Sequence, residues 1–410
     1  MGLGKRVATG LLVVGAAVAA GTVASASTTV SVVATIPGGG SGITASGGYV
    51  YVAENVGSYP TNGLVRVIDQ ATNAEVASVT VGNTPQGVAV SGDYLYVAIN
   101  NSANNTAQAG SVEVIDIHDP TAPLVFTTIQ DVSIYSPGAV VAANGYVYVG
   151  DCSGGSPVAV IRASDNTVVG SVPLTNQCSA GMSAAGNFLY AKDGDQVAVI
   201  DADPASQTFL TILRTIPLTT PAGGVTPIVS TLVASGSSIY VGDSANALFQ
   251  VIDTSTELVV ATISDPITYP TAMAAGAGYV YVSYDSPGAV LVIDTHTNTV
   301  LGIVDSIGDY QDNIAADGQN AYSSGADQLS VSVIYVGNSG SEMYVPMQAY
   351  GIAADGTCAK NAPNHVNWPG IASQESAGWA SSWQQWPNNG TGGYVCFRQP
   401  YYTGSGYSIR

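Results

Sequence analysis

The chain is 410 residues long, with 9 Lys and Arg against 28 Asp and Glu and a formal net charge of −19. That balance argues against nucleic acid and bare anionic membrane as partners, because phosphate binding draws most of its affinity from Lys and Arg. Only 9% of residues are charged, against about 25% in an average soluble domain, so the surface must be built from Ser, Thr, Asn, Gln, Gly and Tyr. Such a surface depends little on salt bridges and is expected to tolerate acid.

The first residues read as an export signal. Lys5 and Arg6 precede an apolar stretch from Val7 to Val23, and Ala24-Ser25-Ala26 follows as a small-x-small cleavage pattern. Residues 1–26 are therefore set aside from the fold. Their removal takes away two cations and leaves a formal charge of −21 (7 minus 28). No later stretch is long and apolar enough to span a bilayer. The mature protein is expected to be secreted or extracellular, and associated with a cell surface only through some other tether.

From residue 49 onward one unit recurs. Tyr49-Val-Tyr-Val52 returns as Tyr94-Leu-Tyr-Val97, Tyr146-Val-Tyr-Val149, Phe188-Leu-Tyr-Ala191, Ser238-Ile-Tyr-Val241, Tyr279-Val-Tyr-Val282 and, eroded, Asn320-Ala-Tyr-Ser323. These seven copies are spaced by 45, 52, 42, 50, 41 and 41 residues, close to the ~40–50 of a four-stranded propeller blade. Before each Tyr strand lies a run of small residues, such as Gly87-Val-Ala-Val-Ser91 or Ala272-Met-Ala-Ala275, suited to an innermost strand crowding a central axis. After it comes an alternating strand ending in Asp, as in Val65-Arg-Val-Ile-Asp69 and Val290-Leu-Val-Ile-Asp294. A polar turn then leads to an outer strand such as Glu75-Val-Ala-Ser-Val-Thr-Val81.

The fold class expected is all-β: a seven-bladed β-propeller of four-stranded antiparallel blades over residues 27–335. The seventh unit lacks an outer strand, and Val30-Ser-Val-Val-Ala-Thr-Ile-Pro37 reads as the missing copy. Pairing the two would close the ring and remove open edges. The Tyr-Val strand ends, the Val-Ile-Asp strands and loops such as Gly82-Asn-Thr-Pro-Gln-Gly87 resemble the YVTN β-propeller repeat family across roughly residues 28–335. That resemblance implies a surface-layer or adhesion-related setting and brings no catalytic residues with it.

An exported chain meets an oxidising compartment, and its four cysteines allow three pairings. In a four-stranded blade the loop between strands two and three and the loop leaving strand four open on one face. Cys152 lies in the former and Cys178 in the latter, within one blade, which favours that pair and leaves Cys358 with Cys396. No CxxC spacing suggests zinc.

Two acidic sets stand out. The aspartates ending the third strands begin tight turns, where a carboxylate accepts backbone N–H groups two residues on; these are structural. Glu54, Asp151, Asp193, Asp243 and Asp285 follow the Tyr strands, with Asn100 and Asn101 in the second blade. They should emerge on one face, either as solvated loop carboxylates or as a ring able to hold Ca²⁺ or recognise a polyol or basic partner. His118 and His296 fall in turns and His365 in the tail, away from a channel, which disfavours His-based chemistry. GxSxG, HExxH and Walker loops do not occur, and Gly40-x-Gly42-x-x-Ala45 precedes a strand rather than the helix a dinucleotide site needs.

After residue 335 composition shifts. Trp368, Trp379, Trp383 and Trp386 lie between Cys358 and Cys396, and the last three fall at i, i+4 and i+7, one face of a short helix that Pro387 would end. Residues 336–410 thus read as a small disulfide-stapled module. Its Trp stripe is either a core or, with Tyr394, Tyr401, Tyr402 and Tyr407, an aromatic platform for sugars. Two functions follow from the whole: a non-catalytic scaffold binding a protein or polysaccharide at the cell surface, with no cofactor, or a propeller hydrolase or lactonase using the acidic face with a divalent cation.

Overall fold

A computed structural model describes residues 28–56, 62–100, 110–151, 157–174, 181–305, 307, 313–318, 320–325 and 330–338, and the backbone of two strands at 379–387 and 394–402. The expected export signal, Cys152, Cys178 and Cys358, the Cys396 side chain and most of the tail lie outside the described residues.

β1 (Thr28–Pro37) comes first in the chain and last in the ring. Blade 1 is built from β2 (Gly42–Ser46), β3 (Tyr49–Asn55), β4 (Gly63–Asp69) and β5 (Ala74–Val81). Blade 2 holds β6 (Pro85–Ser91), β7 (Tyr94–Ile99), β8 (Ser111–Asp116) and β9 (Leu124–Ile129). Blade 3 holds β10 (Pro137–Ala143), β11 (Tyr146–Asp151), β12 (Pro157–Arg162) and β13 (Thr167–Pro173). Blade 4 runs through β14 (Met182–Ala185), β15 (Phe188–Asp193), β16 (Gln196–Asp201) and β17 (Ile212–Pro217). Blade 5 comprises β18 (Val229–Ser235), β19 (Ser238–Asp243), β20 (Leu248–Asp253) and β21 (Val259–Ser264). Blade 6 is β22 (Pro270–Gly276), β23 (Tyr279–Tyr284), β24 (Ala289–Asp294) and β25 (Thr299–Asp305). Blade 7 takes β26 (Asn313–Asp317), β27 (Asn320–Ser324) and β28 (Ser330–Asn338) and borrows β1 as its outer strand, in the order β1-β28-β27-β26.

The seven-bladed ring is therefore closed as expected. β1 pairs antiparallel with β28 from Thr28↔Asn338 to Pro37↔Ser330, with one bulge between Val32 and Ala34. The inner strands β2, β6, β10, β14, β18, β22 and β26 neighbour one another in turn, and β26 returns to β2. Small residues allow that crowding. A Cβ on Gly42 would collide with the Gln86 carbonyl of the next blade, so blade 1 can approach blade 2 only through glycine.

The cores lie between blades rather than within them. Tyr51, Val65 and Val67 of blade 1 pack against Val88, Leu95, Val97 and Ile115 of blade 2, and Val50, Val52 and Ile68 of blade 1 pack on Tyr322, Val331 and Val333 of blade 7. Both faces of each sheet are thus covered, which is why the middle strands are buried almost without alternation. The second tyrosine of each repeat, from Tyr51 to Tyr322, is at most 2% exposed.

In the tail the structure corrects the expected helix. Trp379–Pro387 is a strand, β29, paired antiparallel with β30 (Tyr394–Tyr402) from Trp379↔Tyr402 to Pro387↔Tyr394. Spacing at i, i+4 and i+7 marks a helical face only when no partner strand competes. Here the Tyr-, Val- and Phe-containing segment after residue 393 is a strong strand former in hairpin range.

Candidate functional site

The loops between second and third strands and those joining blades open on one face, the loop face. In blade 3, Asp151 at the end of β11 accepts the Tyr135 and Ser136 N–H groups of the segment arriving from blade 2, at 2.5 and 2.7 Å. In blade 5, Asp243 accepts the Ile228 N–H at 3.1 Å, the Asn246 amide at 2.8 Å and the Gln250 amide at 3.3 Å. Asp151, Asp193 and Asp243 are 1%, 3% and 1% exposed. All three sit at the same step of their repeats, and at Asp151 and Asp243 the carboxylate pins the incoming chain to the end of the second strand.

Glu54 occupies that step in blade 1 and pairs with Arg66 Nε at 2.5 Å, while Arg66 also reaches Glu75 at 2.5 Å. Asp285 follows one residue later in its repeat and is half-buried, with its Oδ1 buried and without a partner among the described residues. In blade 2 the step is taken by Ile99, and Asn100 beside it donates to Ser136 Oγ at 3.2 Å. The five acids therefore share a face, as expected, but three of them lie beneath its surface. Among the described residues no three His, Cys, Asp or Glu side chains form a group able to hold a metal ion.

The opposite face carries the turns. Asp253 Oδ1 accepts the N–H groups of Ser255 and Thr256 at 3.0 and 2.8 Å and both their hydroxyls, which lowers its pKa to about 2. Asp69, Asp116 and Asp294 make equivalent turns. The fifth residue of several turns takes a left-handed φ, 53° at Asn73 and Asn298 and 57° at Asn166, and a bulge follows in the fourth strand. Sequence reasoning missed what these asparagines do. Tyr96 and Tyr240 donate at 2.6 Å to Asn166 and Asn298 of the next blade. The signal was present as a Tyr in one repeat and an Asn ending the turn of the next. His118 and His296 lie on this turn face, 82% exposed.

Exposed large apolar side chains are unevenly placed. Val56, Val132, Tyr135, Val225, Ile228 and Tyr269 are in connections of the loop face, with Val132 98% and Tyr269 72% exposed; the others lie on or next to outer strands. Among the described residues none is in a turn between first and second strands. At the centre, a cavity of about 180 Å³ is bounded by inner-strand residues of all seven blades, including Ile43, Val88, Val140, Met182, Leu232, Met273 and Ile314, with Thr231, Thr271 and Asn313 as polar members.

A ring closed between first and last strands, with a narrow uncharged channel, one polar turn face and one loop face bearing apolar side chains, defines a seven-bladed β-propeller. No protein-family model and no curated protein matches the chain.

Proposed function

We propose that the protein is a non-catalytic scaffold, secreted or held at a cell surface, that binds a protein or polysaccharide on its loop face. The observation that carries this reading is the set Val56, Val132, Tyr135, Val225, Ile228 and Tyr269, which gives the loop face of a weakly charged protein apolar and aromatic side chains in the connections of several blades. Exposed apolar surface rimmed by polar residues suits recognition. Residues 1–26 support export, and the repeat residues support kinship with the YVTN-type surface propellers. The buried, hydrogen-bonded state of Asp151 and Asp243 favours binding over hydrolysis, because acid–base work needs a carboxylate free to reach substrate.

The test is retention of the mature protein on whole cells and insoluble polysaccharides, comparing wild type with Val132→Asp, Ile228→Asp and Tyr269→Asp. Loss of retention in these variants, with His118→Ala and His296→Ala on the turn face retained as wild type, is the expected outcome. Equal retention of all five variants would assign binding elsewhere, with the 336–410 segment as the next candidate.

A further inference from the structure

We propose that the groove between the outer edges of blades 2 and 3 receives an extended polypeptide segment in which apolar side chains alternate with basic ones, added as a strand along the open edge of β9. The site lies on the rim of the ring, so the inference goes beyond the loop-face reading and does not depend on it.

In its blade β9 pairs only with β8, from Val112↔Ile129 to Asp116↔Leu124, and its other edge is open. Open edges are ordinarily blunted by charge or proline, because a row of unpaired N–H and carbonyl groups is a template for another chain. β5 carries Glu75, held by Arg66, and β17 carries Arg214, held by Glu257. β13 ends in Pro173 and β25 in Asp305. β9 has neither charge nor proline from Leu124 to Ile129, and no charged residue stands between Asp119 and Asp131. β21 also lacks both, but of its large apolar residues only Val260 is exposed. In β9 Leu124, Val125 and Phe126 are all exposed, and no other outer strand among the described residues exposes more than two large apolar side chains. The Phe126 ring rests on Tyr94, with centroids 5.3 Å apart, so it is held in place while still more than half exposed.

Beside that edge runs a groove of about 560 Å³. Its lining follows β9 and its continuation through six consecutive residues, Phe126 to Asp131, and is completed by Asp165 to Val168 of blade 3. Successive strand residues point to opposite faces, so a hollow over one face would take alternate residues, and one lined by all of them lies along the edge. At about 3.3 Å per residue this stretch spans about 20 Å, room for about five or six residues of an added strand. Such a strand exchanges N–H and carbonyl groups with the β9 backbone and turns alternate side chains into the hollow, as in other cases of β-strand addition.

The surroundings define the side chains of the guest. Phe126 and Val168 give the groove apolar wall, which suits apolar residues at alternate positions. Two carboxylates, Asp131 and Asp165, belong to the lining and no cation does. Asp165 is neutralised by Arg162 at 2.9 Å. Asp131 accepts the Ser133 N–H and hydroxyl through Oδ1, at 2.9 and 2.7 Å, and pairs with no cation among the described residues. A Lys or Arg of the guest supplies that cation. The net charge of −19 works against an acidic guest and against a second copy of this chain.

The probes are the peptide Lys-Val-Thr-Val-Lys-Val-Thr, a counterpart with Glu in place of Lys, and a third with N-methyl groups on two adjacent central residues of the Lys peptide, which blocks a donor on either edge. Each is fluorescently labelled and titrated into the mature protein, with anisotropy read at low and at high salt. Wild type should bind the Lys peptide at least about tenfold more tightly than the Glu peptide, with the gap narrowing at high salt, and should lose the N-methylated one. Asp131→Asn should weaken Lys-peptide binding about two- to fivefold and Phe126→Lys by at least about tenfold, while Leu258→Lys, beside β21, should leave it unchanged. Circular dichroism checks that each variant is folded; should Phe126→Lys fail to fold, Thr128→Lys takes its place. No binding of the Lys peptide by wild type, equal binding of the Lys and Glu peptides, undiminished binding of the N-methylated peptide, undiminished binding by the folded β9 variant, or an equal loss in Leu258→Lys would overturn the proposal. Ile228→Asp and Tyr269→Asp should bind the peptide as wild type does, which separates failure here from failure of the loop-face reading.

Discussion

Gln250 and Glu113 stand at the same step of the third strand, in blades 5 and 2, and meet different surroundings. Gln250 accepts the Thr219 N–H and donates to the Thr219 carbonyl, both at 2.8 Å, and donates again to Asp243. Glu113 accepts the Gly82 N–H at 3.1 Å, but its Oε2 is buried without a partner among the described residues, and the place of Asp243 is taken by Ile99. Burial accordingly raises the Glu113 pKa. A carboxyl whose pKa is raised on folding stabilises the fold at low pH, and that contribution is lost as pH rises through the folded value. Glu113→Gln should therefore raise stability at pH 7 by about 1–3 kcal/mol, the cost of one unsatisfied buried polar group. The gain should fade in acid, where the glutamic acid is already neutral; denaturant unfolding at pH 4 and pH 7 measures both.

The inter-blade tyrosines act at the same scale. Tyr240→Phe removes a 2.6 Å bond and strands Asn298 Oδ1, so a loss of about 1–2 kcal/mol is expected in denaturant unfolding. Tyr148→Phe is the matching control. Its hydroxyl is already buried without a partner among the described residues, because residues 202–211 of blade 4 replace the short Asn-ended turn, and its removal should be neutral or stabilising.

At the scale of the element, β1 is the piece that completes the molecule. It contributes Ile36 to the core between blades 7 and 1 and covers an edge of β28 that would otherwise present unpaired N–H and carbonyl groups. Removing residues 28–37 should lower the unfolding midpoint sharply and promote self-association, read by sedimentation, whereas removing residues 1–26 should do neither. Ile36→Asp is the single-residue version, placing a charge at a site 3% exposed.

For the whole molecule, charge is sparse but not idle. Asp253, held to about 2 by its turn, and Asp119, Asp165 and Asp201, all lowered, stay ionised in mild acid. A carboxyl whose pKa is depressed on folding stabilises the fold above its unfolded value of 3.8, and the contribution is lost as pH falls through the folded value. Circular dichroism should thus show the fold retained at pH 4 and weakening between pH 4 and about pH 2. Unfolding already complete at pH 4 would refute this.

Much of this was legible in the chain itself. The seven Tyr-Val strands, the Val-Ile-Asp strands and the orphan β1 specify blade number, strand order and closure, because period-two burial and repeat spacing are local properties that a sequence displays directly. The Asp turns were legible for the same reason, since acceptor and donors lie within three residues. The Trp segment misled because a three-residue spacing does not reveal a partner strand across a hairpin. What only tertiary structure decided is where side chains from different blades meet. The loop carboxylates were expected at a surface, yet the incoming chain of the neighbouring repeat covers Asp151 and Asp243 and satisfies them. Those contacts join residues tens of positions apart, and their distances are set by the closure of the ring.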